Sequence, residues 1–308
     1  MNKLDINFKN LVNSFKILSK DNILENIKDT YLKIDDFNKH AIENFLGQFN
    51  YWGKLSYENK EFEELEKRAE VLKDHGNDFA SLYNKLEDYR SKQVLYGILN
   101  YWYNNDFSNL DIARENNFRQ YFDLDLIKTN SEEVFVDVGA YTGDTILSYI
   151  NYFGKYKKIY GYEITEDSIK IMQNNLKDYP NIIIKRNALG SVYKEFYIAS
   201  NETSASANKI TDIGNNKVTS VTLDDDIKEK VTLIKMDIEG SEEQALIGAI
   251  NHIKKDTPKL LIAVYHNHDD LWKLPKLIDT INPNYKYYLR YFGNKYYPTE
   301  VVLMALPK

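Results

Sequence analysis

The most constraining feature of the sequence is a change of rhythm at Glu133. From Val134 onward, short apolar, β-rich runs alternate with helical patterns. Strands are expected at residues 134–138, 158–162, 181–185, 232–236 and 260–265, with two late strands near 285–291 and 301–305. Helices are expected at 145–153, from Thr165 as N-cap to about Leu176, from Ser241 onward and at 271–281. Ser241 with Gln244 three residues later reads as a capping box. Strands that alternate with helices imply a parallel sheet covered on both faces. Such sheets take ligands beyond the carboxyl ends of their strands.

Residues 1–115 read differently. Apolar positions recur at helical spacing: Leu11, Phe15 and Leu18, then Phe62, Leu65 and Leu72. Val94, Leu95, Ile98, Leu99 and Trp102 make a strongly apolar helical face. No Pro precedes Pro180. The expected organisation is a helical N-terminal region, 1–115, and an α/β domain, 116–308. The first carries no catalytic signature; covering a substrate and mediating dimerisation both suit it.

Composition narrows the chemistry. The 308 residues are 43% hydrophobic, enough for a sizeable core. The absence of Cys excludes disulfides, zinc thiolates and thiol nucleophiles, and is compatible with a reducing compartment. No secretory pattern and no long apolar run are visible, so a cytoplasmic location without a membrane span is expected. A net charge of −6 argues against a nucleic-acid partner. The 25 Tyr fit either a composition bias or ring stacking on a substrate.

The first strand runs into Asp137-Val138-Gly139-Ala140-Tyr141-Thr142-Gly143-Asp144-Thr145. Two Gly at a strand-to-helix turn allow close backbone approach to a ligand. The helix that follows offers N–H groups to an anionic or polar group. The pattern is not the G-x-G-x-x-G of dinucleotide enzymes. Asp137 would repel a pyrophosphate but suits the ammonium of an amino-acid-bearing ligand. S-adenosylmethionine, with its amine, carboxylate and sulfonium, therefore fits better than NAD. A structural turn is the plain alternative.

Glu163 ends the second strand and is placed to accept from both ribose hydroxyls, with Ile164 next to it. After the third strand, Asn187 and Ala188 are expected near an adenine ring. The fourth strand gives Lys235, Asp237 and Glu239, which share one side if the strand extends that far. Asp237 is best placed toward cofactor and substrate, whereas Lys235 reads as an internal partner for a carboxylate. The fifth strand ends in Tyr265-His266-Asn267-His268-Asp269-Asp270. His266 is the preferred general base, since a hydroxyl must lose its proton to become a nucleophile. A structural role, or a metal site with Asp237 as a further oxygen donor, are the alternatives.

The order VFVDVGAYTGDT, YGYEIT, ALG, VTLDD, IKMDIEGSE, AVYH resembles the FkbM methyltransferases over residues 118–308. The resemblance implies an α/β, Rossmann-like class I methyltransferase fold with a mainly parallel sheet, and S-adenosylmethionine as cofactor. It places Asp137, Gly139, Gly143 and Glu163 on the cofactor, and Asp237 and Glu239 in the core of the site. The loop residues Ala140, Tyr141, Asp144 and Thr145, with Ile164, Asn187 and Ala188, complete the expected cofactor set. The tail 285–292 also resembles members, with Tyr291 where they carry His after Arg. The family is associated with O-methylation of sugars and natural products. The expected acceptor is a sugar or small molecule, nucleotide-linked or free, and a homodimer is the expected assembly to weigh beside a monomer. Nitrogen or carboxyl methylation, or a non-catalytic cofactor-binding scaffold, are the rivals.

Overall fold

The computed structural model describes residues 2–49, 51–199, 209–211 and 216–308. Seven helices come first: α1 Lys3–Ile17, α2 Lys20–Leu32, α3 Asp36–Phe49, α4 Glu63–Asp74, α5 Gly76–Lys85, α6 Tyr89–Asn104 and α7 Ser108–Ala113. Then follow β1 Val134–Val138, α8 Asp144–Phe153, β2 Lys158–Tyr162, α9 Glu166–Leu176, β3 Ile182–Lys185 and β4 Ala188–Leu189. Next come β5 Lys194–Ala199, β6 Lys209–Thr211, β7 Asn216–Val221, α10 Leu223–Asp226 and β8 Leu233–Met236. The chain closes with α11 Glu242–Ile247, α12 Ile250–Lys255, β9 Lys259–Ala263, α13 Asp270–Ile281, β10 Tyr285–Tyr291 and β11 Val301–Pro307.

The chain forms two compact units. Unit 1 holds Met1–Asn117 together with Val264–Lys276 and Lys286–Leu303. Its helices are started by local side chains: in α1, Asn2 and Asp5 cap each other reciprocally. That helix buries Leu4, Phe8, Leu11, Val12 and Phe15, the stripe that its spacing requires. Two returning segments join these helices. Tyr287 and Tyr291 make isolated parallel bridges with Leu86 and Arg114. Arg290, 4% exposed, is held by Asp88 at 2.7 Å and by Ser91 at 3.1 Å. Tyr291 is fully buried beneath Arg114.

Unit 2 holds Phe118–Ala263, Leu277–Tyr285 and Met304–Lys308. The main sheet has the strand order β10-β11-β9-β8-β1-β2-β3, and the pairings of β1 with β2 and β8, β2 with β3, and β8 with β9 are parallel. The fold is the α/β class that the alternation predicts. Every residue of β1 is buried. Its apolar side chains, Val134, Phe135, Val136 and Val138, each gain about 1.5–3 kcal/mol on burial. Asp137, in their midst, needs a separate reason to be there.

A second sheet, β4-β7-β5-β6, interrupts the βα alternation before β8. β5 runs antiparallel to β7, and Phe196 and Val218 form its small core. The capping box expected at Ser241 does not form. Ser241 makes no side-chain cap, and Gln244 instead accepts from the Ser191 hydroxyl at 2.7 Å. Glu242 does related work by accepting the Ile238 N–H at 2.8 Å. The alternation of Lys235, Asp237 and Glu239 also fails, because β8 ends at Met236 and Glu239 turns left-handed at φ 59°.

Candidate active site

Within unit 2 the ends of β1 and β8 are tied by a buried charge pair. Lys235 Nζ lies 3.0 Å from Asp137 Oδ1 and donates to the Gly139 carbonyl at 2.8 Å. Lys235 thus fixes both the acid and the turn after it, the structural role expected of it. Asp137 is fully buried, and its Oδ2 receives no hydrogen bond among the described residues. Burial pushes its carboxyl up to about 6, although the Lys235 ammonium pulls the other way. The same pairing raises Lys235 despite its own burial.

The turn is shaped by the protein's own packing. A side chain at Gly139 would bring its Cβ to 2.0 Å from the Asp237 carbonyl, and the backbone there has φ +76°. At Gly143, φ +80°, a Cβ would press on Met172 and Leu176 at 3.0 Å. The two glycines therefore serve close approach of neighbouring elements. The N–H groups of Gly139 and Ala140 both go to the Tyr162 carbonyl, at 3.0 and 2.9 Å. The Tyr141 N–H donates to Glu163 Oε2 at 3.0 Å, and the Gly143 N–H to the Ala140 carbonyl at 2.7 Å. Helix α8 first closes a bond at Leu147, and the N–H groups of Asp144, Thr145 and Ile146 have no backbone partner among the described residues. Tyr141 is 41% exposed at the tip of the turn.

Glu163, 9% exposed, also accepts from the Ile164 and Thr165 N–H groups at 2.8 and 2.7 Å. With Tyr141, three of a carboxylate's roughly four lone-pair positions are taken. Room remains for about one hydroxyl rather than the two that its sequence position suggests. Ile164 and Ala188, both partly buried, pack against Phe196 and Val218 as a small apolar patch. Asn187 reaches the Thr219 carbonyl only at 3.5 Å.

Asp237 follows β8 directly. Tyr121 donates its hydroxyl to Asp237 Oδ2 at 2.5 Å, and Lys235 sits 5.3 Å from the same ring. Tyr121 is 3% exposed and adopts φ 72°, a conformation that costs a bulky side chain energy. Sequence reading gave no sign of Tyr121, one Tyr among many with no motif around it. Its left-handed backbone was the one available signal, and that signal exists only in the structure.

Unit 1 carries both loop histidines. His266 lies beyond the end of β9 and is 1% exposed. Its ring meets Tyr265 at 4.2 Å and Tyr51, edge-on, at 5.7 Å. His268 Nε2 pairs with the Tyr297 hydroxyl at 3.0 Å and lies 3.4 Å from Glu64.

Comparison with known proteins decides what this constellation belongs to. The family model described as the methyltransferase FkbM domain matches residues 137–296, more than half of the chain. The chain belongs to the FkbM methyltransferase family. The match begins at Asp137 itself and takes in Glu163, Asp237 and His266. The crystal structure of methyltransferase FkbM from Methylobacillus flagellatus KT is similar at 25% identity, with a TM-score of 0.65. The likeness covers 78% of this chain and 62% of that one, so this chain spans less than two thirds of that relative. Fibrillarin of Aeropyrum pernix, with natively bound S-adenosyl-L-methionine, is similar at 13% identity with a TM-score of 0.37, over 59% of this chain and 70% of that one. An rRNA methylase from Streptococcus thermophilus is similar at 12% identity with a TM-score of 0.39, over 58% and 88%. No curated protein matches.

S-adenosylmethionine is the cofactor expected of a chain of this family. The residues present fit it. They supply a buried acid with an oxygen that takes no hydrogen bond, three N–H groups at a helix start, a carboxylate with space for a hydroxyl, and an apolar patch. Among the described residues no helix is long and apolar enough to cross a membrane.

Proposed function

We propose that the chain methylates a hydroxyl group of a sugar, free or nucleotide-linked, with S-adenosylmethionine as donor. Its cofactor half rests chiefly on the Asp137–Lys235–Gly139 linkage, which fixes an acid-bearing turn at the end of the central strand; its acceptor half rests on the family.

Because Asp137 is fully buried, it acts on the cofactor amine through its field and through the loop it holds. Gly139, Ala140, Tyr141 and Gly143 form that loop. Asp144 and Thr145 offer N–H groups to the carboxylate. Glu163 takes a ribose hydroxyl, and Ile164, Asn187 and Ala188 line the ring. Glu239, in the turn after β8, is the further acid proposed at the cofactor. Bound S-adenosylmethionine supplies an electrophilic methyl group on a sulfonium.

The protein's part in the reaction is to align the acceptor and to remove its proton. His266 is the proposed base, and its neutral imidazole would take the hydroxyl proton. Asp237, with its carboxylate steadied by Tyr121, orients the acceptor. Tyr51 and Tyr265 pack against the His266 ring.

The test is incubation with methyl-labelled S-adenosylmethionine and a panel of nucleotide-linked and free sugars, read by mass spectrometry. A labelled methyl on a sugar oxygen is expected. Label found only on amine or carboxylate acceptors overturns the hydroxyl assignment.

A further inference from the structure

The helical N-terminal residues of unit 1 contain a pair of buried charges that the proposed reaction does not use. Glu64 and Arg68, one turn apart on α4, are both fully buried. Arg68 Nε donates to Glu64 Oε1 at 2.5 Å, and its Nη1 donates to Asn105 Oδ1 at 2.8 Å. Its guanidinium also lies 4.9 Å from the Tyr101 ring and 5.6 Å from that of Tyr297. Charges without access to water are expensive, so the pair is held by the groups around it.

What they fix can be traced. Glu64 Oε1 accepts the Tyr297 hydroxyl at 2.7 Å, and that hydroxyl pairs with His268 Nε2 at 3.0 Å. Burial pushes the Glu64 carboxyl up, but Arg68 and His268 outweigh it and hold it down to about 2. An ionised Glu64 thus anchors one side of the 265–270 segment. The other side is anchored by Trp52, whose indole N–H donates to the Tyr265 carbonyl at 2.8 Å. Trp52 is 3% exposed and rests on Tyr297 at 4.6 Å, so the two anchors share a wall. His266 sits between them, one residue from Tyr265 and two from His268, with Tyr51 against its ring.

We infer that Trp52 and the Glu64–Arg68–Tyr297 cluster are positioning residues for His266, holding its ring in one orientation from both sides. The inference rests on the base assignment for its purpose, but not for its test. It gives the N-terminal helices a part in the chemistry beyond covering or dimerisation.

The test is NMR of the full chain with isotope-labelled histidine, which yields ring-nitrogen signals for five residues. His266→Ala assigns the signal of interest. Trp52→Phe keeps a ring and removes the N–H; Tyr297→Phe removes the hydroxyl. In each variant the His266 ring signals should shift or split, while those of His40, His75 and His252 stay in place. S-adenosylhomocysteine affinity, measured by calorimetry, should stay within about twofold. Unchanged His266 signals in both variants overturn the inference. So does movement of all histidine signals together, which marks general loosening. Should Trp52→Phe fail to fold, Tyr297→Phe alone decides. Full methyl transfer by His266→Ala is a separate result, which sinks the base assignment and leaves the NMR outcome standing.

Discussion

Asp137 and Lys235 face each other as register partners on adjacent parallel strands, 3.0 Å apart and no more than 3% exposed. A charge pair so deep in a sheet contributes little net stability, because desolvation offsets the attraction. Breaking it is another matter. Lys235→Met leaves Asp137 without its counter-charge and the Gly139 carbonyl without its donor. The expected loss is about 3–5 kcal/mol in urea unfolding. A loss below about 1 kcal/mol would show that the pair does not hold the turn.

The same carboxylate gives a pH signature. Its ordinary value of 3.8 rises to about 6 in the folded protein. The folded state therefore holds this proton more tightly than the unfolded chain does. Stability from this group is present below about 4 and is lost as pH rises to about 6, for a total near 3 kcal/mol. Compared with Asp137→Asn, the wild type should lose stability across that window and run parallel above it. Unfolding curves whose separation is flat from pH 4 to 6 contradict the assignment.

Two glycines should respond in opposite directions. Gly139→Ala places a Cβ 2.0 Å from the Asp237 carbonyl at φ +76° and should cost roughly 3 kcal/mol. Gly47→Ala, in α3 with nothing within 4 Å, should stabilise by about 0.5–1 kcal/mol. Thermal unfolding of the two variants checks both signs. Equal shifts would mean that the approach of the two turns tolerates a methyl group.

Tyr121→Phe removes the hydroxyl that donates to Asp237 at 2.5 Å. A hydrogen bond to a charged acceptor is worth about 1.5–3 kcal/mol, and that loss is expected in stability. Methyl transfer should fall while cofactor affinity changes little, because Asp237 loses its orientation and the Asp137 turn does not. Unchanged turnover at saturating acceptor would remove Asp237 from acceptor alignment.

The strands of the main sheet were legible because β1, β8 and β9 are apolar runs, closed by turn residues. The small sheet was not. Lys194, Glu195, Lys217 and Thr219 dilute β5 and β7, where Phe196 and Val218 form the buried cluster among the described residues. Ser241 and Gln244 had the spacing of a capping box, but Ser191, distant in sequence, competes for the amide. The role of Lys235 was readable because a lysine in an apolar strand needs a carboxylate. Tyr121 was not readable, since its contact with Asp237 spans 116 residues and depends on a left-handed turn. Unit 1 also draws in Val264–Lys276 and Lys286–Leu303, a return that a linear reading cannot see.

Calorimetry with S-adenosylhomocysteine tests the central claim most directly, that the Asp137 turn is the cofactor site. The wild type should bind, and Asp137→Asn should bind at least about tenfold more weakly, a difference near 1.4 kcal/mol. No binding by the wild type, or equal affinity in the two proteins, would contradict it.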